Sequence, residues 1–326
     1  MKISLFPQVC KLTRNLPDFF SHIFSFLLQG MDGLVLLTDI TRNSTPGIGC
    51  TVLTSIDDMG YKCFFKPDDP YVFTSTSQDG LIRLFDLRVK KQPIQTLLKF
   101  TRAHVAVSVN SMCWHPLGNG EFVVGGADPF VKLYDLRKVT SIPNESGVTK
   151  YRDLNAIKKF APKQIAMNSF KKSMSRYYVT GVDYNIKSEI LINYSRDDVY
   201  LFSSLDVGNT QTNDTSDNSK NQTSDTISCT TPIQRYSGRK NIQTFLKEVA
   251  FVGNNQFVAT GSDDGNLYIW EKTSGRLVRR LKGGTKKKKI LFLILKKSNL
   301  CYQLRSACCE WNCATSLVAH FGSLWN

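Results

Sequence analysis

Apolar and polar side chains alternate in short runs along much of this chain, and the runs come in pairs separated by acidic turns. In Leu81-Ile-Arg-Leu-Phe and Leu267-Tyr-Ile-Trp the period is two, which sends successive side chains to opposite faces of an extended strand. Asp-Gly shortly before each run supplies a tight turn, so each pair of runs predicts a β-hairpin. Three hairpins are clear: residues 73–86, 122–135 and 257–270 each carry an apolar strand, a Ser/Gly-rich step, an acidic turn and a second strand ending in an aromatic residue. Leu27–Asp39 and Ile190–Phe202 are weaker copies. The turn position falls at Asp32, Asp79, Asp128, Arg196 and Asp264, spaced 47, 49, 68 and 68 residues apart. Arg196 stands where the other copies have an acid.

Five copies of one hairpin, with further strands such as Ser111-Met-Cys-Trp and Glu248-Val-Ala-Phe-Val between them, predict an all-β chain of repeating four-stranded sheets. A repeat that closes on an aromatic–Asp pair is the pattern of a WD40 β-propeller blade. The blades are expected over residues 26–285, as five recognisable members of a longer propeller truncated at its ends. Residues 1–25 show no blade pattern and stay unassigned. Residues 286–326, with Lys286-Lys-Lys-Lys and a Cys/Trp-rich end, read as a non-propeller tail. Residues 206–231 are rich in Asn, Thr, Ser, Asp and Gln, which predicts a disordered insertion. Residues 150–178 are basic with loose helical spacing, which predicts a segment running across one face of the disc.

The net charge of +15 suggests nucleic-acid binding until it is located. Residues 271–297 contribute +10 and residues 138–176 contribute +7, so the remaining chain sums to −2. The charge belongs to two segments, and such runs are usually solvated faces. Lys286–Lys289 has no interleaved aromatic residues for stacking bases, so nucleic acid is not expected as a partner. No run of 18 uncharged apolar residues occurs, which argues against a membrane-spanning helix. Lys11, Arg14 and Asp18 interrupt any signal-peptide core. The expectation is a soluble protein of the nucleus and/or the cytoplasm.

Catalytic patterns are absent: no Gly-x-Ser-x-Gly elbow, phosphate-binding loop, His-Glu-x-x-His or Gly-x-Gly-x-x-Gly is present. His104 and His115 read as packing or turn residues, and the nine cysteines show no paired zinc knuckles. The expectation is a protein that is not an enzyme, with no cofactor and no metal. The unusual feature is a repeated motif, Phe85-Asp86-Leu87-Arg88 and Tyr134-Asp135-Leu136-Arg137, at the ends of two adjacent hairpins. Strand alternation would put each Asp and its Arg on one side, so that two planar cationic forks stand next to each other. Asp86, Arg88, Asp135 and Arg137 are therefore the candidate site. A plainer possibility is two independent salt bridges on the rim.

At these residues the chain resembles the WD-repeat substrate receptors of cullin-4 ubiquitin ligases, in particular the branch of cullin-4-associated factor 8 and its relative with WD and tetratricopeptide repeats. The segments 125–138, 194–202 and 257–272 carry the likeness. The resemblance implies a non-catalytic receptor built on a seven-bladed propeller, of which five blades are recognisable here. Its Asp86, Arg88, Asp135 and Arg137 would contact the damaged-DNA-binding-protein-1 adaptor, and another face would present a substrate protein for ubiquitination. The alternative is a WD40 interaction scaffold unrelated to ubiquitin.

Overall fold

The computed structural model describes residues 8–12, 25–29, 32–39, 50–89, 95–102, 105–139, 156–171, 177–205, 231–243 and 247–282. Five antiparallel four-stranded sheets follow one another along them, each strand bonded to its sequence neighbour. The first sheet holds β1 (Gln8–Leu12), β2 (Ser25–Gln29), β3 (Leu34–Asp39) and β4 (Cys50–Ser55). The second holds β5 (Gly60–Lys66), β6 (Asp69–Ser77), β7 (Leu81–Asp86) and β8 (Gln95–Lys99). A small hairpin, β9 (Thr101–Arg102) with β10 (Val105–Ala106), leads to the third, of β11 (Ser111–Trp114), β12 (Glu121–Gly125), β13 (Val131–Asp135) and β14 (Lys158–Phe160). Helix α1 (Lys163–Lys171) precedes the fourth sheet, of β15 (Val179–Tyr184), β16 (Glu189–Tyr194), β17 (Val199–Ser203) and β18 (Gln234–Tyr236). The fifth contains β19 (Val249–Val252), β20 (Phe257–Gly261), β21 (Asn266–Glu271) and β22 (Leu277–Lys282). This is the blade architecture of a WD40 β-propeller.

The five hairpins form the central strand pairs of the five sheets. The turn acids explain why. Asp32, Asp79 and Asp264 each accept the backbone N–H two residues on, at 3.1, 2.9 and 3.0 Å, and Asp128 does the same for Phe130. Such a local bond holds the turn that sets hairpin register. At Arg196 no carboxylate is available. Its backbone instead takes a left-handed φ of 62°, and Asp197 accepts from Asp198 N–H at 2.7 Å.

The aromatic residues that close the hairpins are core. Phe85, Tyr134, Phe202 and Trp270 are all buried. Phe73 stacks on Phe85 at 4.8 Å and Phe122 on Tyr134 at 5.5 Å. Burying one such ring stabilises the fold by roughly 1.5–3 kcal/mol. The apolar clusters lie at the junctions between successive blades: Leu27 and Val35 against Phe73 and Phe85, Ile82 and Leu97 against Met112 and Tyr134, Val123 and Leu133 against Val182 and Tyr194, and Leu191 and Leu201 against Phe251 and Trp270.

The first strands of the sheets, β1, β5, β11, β15 and β19, pack against one another in sequence order. One contact reaches further. Lys62 on β5 is buried, and its Nζ lies 2.6 Å from Glu248 Oε1 beside β19 and 2.8 Å from Ser111 Oγ on β11.

Two sequence expectations change. Gln8–Leu12, inside the stretch left unassigned, pairs with β2 as a strand of the first blade. Residues 150–178 do not simply cross one face. Lys158–Phe160 is the outer strand of the third blade, and α1 inserts Ile165 and Ala166 as buried residues, Ile165 joining the core between the third and fourth blades. A three-residue strand of sequence Lys-Lys-Phe is too short to show alternation. The tail 286–326, His104 and residues 206–230 of the polar insertion lie outside the described residues.

Candidate functional site

The two Asp-x-Arg motifs are built alike. Strand β7 ends at Asp86, and Asp86 Oδ1 accepts both the backbone N–H of Arg88 at 2.9 Å and its Nε–H at 2.8 Å. Arg88 Nη2 donates to Asp86 Oδ2 at 2.6 Å. At the end of β13, Asp135 Oδ1 accepts from Arg137 N and Nε at 3.0 Å, and Oδ2 from Nη2 at 2.8 Å. Both guanidiniums are thus held by paired, charge-assisted bonds.

The geometry corrects one part of the sequence argument. The Arg does not follow its Asp along a strand; the strand stops at the Asp and the chain turns. After Asp135 the turn is a short 3₁₀ helix over Leu136–Lys138, which the Asp135 side chain caps. The i to i+2 pairing comes from this capping carboxylate, not from strand alternation.

Exposure divides each pair. The Asp86 and Asp135 side chains retain 12% and 6% of their surface, whereas Arg88 and Arg137 retain 52% and 74%. The Arg88 hydrogen bonds hold the Asp86 carboxyl below the usual carboxylate range, and the Arg137 hydrogen bonds do the same for Asp135. Both guanidiniums are pushed upward in return. The site is therefore fully ionised near neutral pH.

The two corners lie on the same edge of adjacent blades. Asp69 at the start of β6 accepts from Arg88 Nη2 at 3.1 Å, and the neighbouring Asp68 packs against Gly118 in the β11–β12 turn. Gly120, in that same turn with a left-handed φ of 84° that favours glycine, accepts the Leu136 N–H at 2.9 Å and lies beside the Asp135 carboxylate. A continuous path of contacts thus joins Arg88 to Arg137.

Asp69 and Tyr71 escaped the sequence reading. Arg88 lies over the Tyr71 ring, and Leu87 N–H donates to Tyr71 O at 2.9 Å. Counting back across the hairpin, where Val72 faces Asp86, would have placed them.

His115 is a packing residue of the third blade, as its position suggested. It is buried edge-on to Tyr184 at 4.7 Å, and Nδ1 accepts the Leu117 N–H at 3.3 Å. Cys63 is buried and Cys113 half-buried, and neither is in a disulfide. Among the described residues, no three His, Cys, Asp or Glu are grouped to hold a metal ion, and no helix is long and apolar enough to cross a membrane.

Residues 50–86, 92–135 and 231–271 are WD40 repeats, matching the family "WD domain, G-beta repeat". The chain is similar to the mouse protein "DDB1- and CUL4-associated factor 6", 27% identical over 179 residues, which is 54% of this chain and 19% of that relative. It is also similar to human "WD and tetratricopeptide repeats protein 1", 50% identical over 50 residues, 15% of this chain and 7% of the relative. A third match is "Protein ALTERED SEED GERMINATION 2" of Arabidopsis thaliana, 45% identical over 51 residues. The chain therefore spans about a fifth or less of the length of these relatives. None of these names denotes a catalytic family.

Proposed function

We propose that this chain is a non-catalytic recognition module of a cullin-4 ubiquitin ligase. It docks on the damaged-DNA-binding-protein-1 adaptor through Asp86–Arg88 and Asp135–Arg137 and presents another protein for ubiquitination, in the nucleus and/or the cytoplasm. The observation that carries this reading is the pair of matching corners on one edge of adjacent blades. Each exposes a planar fork already oriented by its own carboxylate, so a partner would not have to order it. The similarity to a cullin-4-associated factor supports the choice of partner.

A second reading is a WD40 scaffold with partners outside the ubiquitin system. It is favoured by the fact that each guanidinium has its bonds within its own blade, as a purely structural corner would. Adaptor capture separates the two. Arg88→Ala or Arg137→Ala should weaken recovery of the purified adaptor by at least about fivefold, as is usual for interfacial Arg anchors, and the double replacement should abolish it. Lys at either position should restore it only in part, since an ammonium cannot bond twice in one plane. Equal adaptor recovery by the wild type and a folded double variant would leave the scaffold reading standing.

A further inference from the structure

The corner that presents Arg88 and Arg137 recurs in the fourth blade with an apolar residue in the arginine's place. Ser203 ends β17, and its Oγ accepts the Leu205 N–H at 3.1 Å, as the two aspartates accept from Arg88 and Arg137 at 2.9 and 3.0 Å. The middle residue of each corner donates to the chain near the start of its blade's second strand. Leu87 bonds Tyr71 O and Leu136 bonds Gly120 O, both at 2.9 Å, and Ser204 bonds Ser188 O at 2.8 Å. Leu205 therefore stands on the same edge as the two forks, 70% exposed. Lys158 Nζ of the third blade donates to Ser204 O at 2.6 Å, which ties this corner to the blade of Arg137.

A second leucine stands between the forks. The β11–β12 turn, which lies on the path of contacts from Arg88 to Arg137, carries Leu117, also 70% exposed. That turn is fixed from below: Leu117 N–H donates to Nδ1 of the buried His115, and Gly118 N–H to His115 O at 3.1 Å. Its backbone thus has little ordering left to lose when a partner covers the side chain. The acids along this edge are already engaged. Asp68 pairs with Lys66 and Asp69 with Arg88, and Glu121 accepts from Asn119 at 3.1 Å and from Tyr184 at 3.2 Å. Among the described residues, Nη1 of each fork makes no hydrogen bond. The edge therefore offers two unbonded amino groups, with one leucine between them and another beside them.

We propose that the docking edge has an apolar centre and continues onto the fourth blade. Leu117 fills an apolar hollow of the adaptor, between acceptors that meet Arg88 and Arg137, and Leu205 adds an apolar contact beyond Arg137. This inference rests on the adaptor docking proposed above and specifies its surface. Two guanidiniums alone fall well short of the roughly 800 Å² a side that a stable protein interface buries. Such interfaces combine an apolar centre with Arg and leave the remaining charge at the rim. A lone exposed leucine is ordinary, but one fixed between two oriented forks, with a second in the fork position of the next blade, matches that anatomy. Nucleic acid fits less well, because both guanidiniums are already paired with carboxylates and leucine gives bases nothing to stack on.

The test is the affinity of the full chain for the purified adaptor, by biolayer interferometry in about 0.15 M salt, where long-range attraction to the basic segments is screened. Leu117→Ser should weaken binding about tenfold and Leu205→Ser about fivefold, with the melting temperature unchanged, since both side chains are exposed in the free chain. Leu117→Met should bind as the wild type does, because volume and apolarity are kept. Val105→Ser is the control and should leave affinity unchanged. Val105 is 69% exposed on the β9–β10 hairpin, at the opposite edge, where Phe100 N–H bonds Gly80 O in the β6–β7 turn. Wild-type affinity in either leucine variant, beside loss in Arg88→Ala/Arg137→Ala, would overturn this inference and leave adaptor docking standing. Wild-type affinity in that arginine double variant would overturn both. A wild-type dimer that Leu117→Ser converts to monomer, at unchanged adaptor affinity, would assign the leucines to a second copy of this chain and overturn the inference as well.

Discussion

The guanidinium of Arg88 lies 5.0 Å above the ring of Tyr71, so the fork is held by a carboxylate at its edge and an aromatic face beneath it. Among the described residues, Arg137 has its own Asp135 and no such ring. The two corners are thus unequal, and Arg88 is the better ordered anchor. Tyr71→Leu should weaken adaptor capture by about two- to fivefold, the size of an exposed cation–π contact, while thermal stability stays nearly unchanged. An effect as large as that of Arg88→Ala would mean that Tyr71 touches the adaptor itself.

The buried ammonium of Lys62 offers a test of the fold. Lys62→Met leaves Glu248 and Ser111 without their shared donor. Because Glu248 keeps 28% of its surface, water softens the loss, and about 1–3 kcal/mol of stability should go. Lys62→Met/Glu248→Leu should recover part of it, since an apolar pair leaves no stranded charge. Urea titration of the three variants gives the coupling directly.

Protonation separates two windows. Burial pushes the His115 imidazole below its ordinary value, with Glu121 opposing weakly. The unfolded chain then binds a proton that the folded chain does not as pH falls below about 6.5. Stability from this group is full above that pH and declines as pH drops toward the depressed value. Melting curves at about pH 7.5 and 5.5 should show a lower midpoint at the acid end, and His115→Gln should shrink the difference. Asp86 and Asp135 act further down. Their contribution is present above the ordinary carboxylate range and is lost only as pH falls through their lowered values, so they should add nothing to that slope.

Arg196 gives a backbone prediction. Its left-handed φ favours glycine, and the bond from its N–H to Asn241 O at 2.7 Å needs no side chain. Arg196→Gly should be neutral or stabilising by up to about 1 kcal/mol, the relief of left-handed strain less the extra entropy of an unfolded glycine. Arg196→Val should destabilise, because a β-branched residue tolerates that φ least. The order of chemical denaturation midpoints checks both.

The hairpins were legible because each is a local device. A period of two, an Asx turn and an aromatic terminus all fall within about fourteen residues, and each piece is encoded where it acts. The outer strands were not, since Lys158–Phe160 and Gln234–Tyr236 have three residues each and take their place from a neighbour's open edge. The Asp-x-Arg corners were found by repetition, but their capped turns were mistaken for strand.

Lys62 and Glu248 are 186 residues apart, while every strand within a blade pairs with its neighbour in sequence. During synthesis the second, third and fourth blades therefore emerge with their hairpins able to form at once. The ammonium at their centre meets its carboxylate only when the start of the fifth blade leaves the ribosome, roughly 10–40 s later at ordinary elongation rates. Until then Lys62 lacks the carboxylate it faces in the finished fold, so the ion pair that ties the second blade to the start of the fifth is among the last contacts of these blades to form.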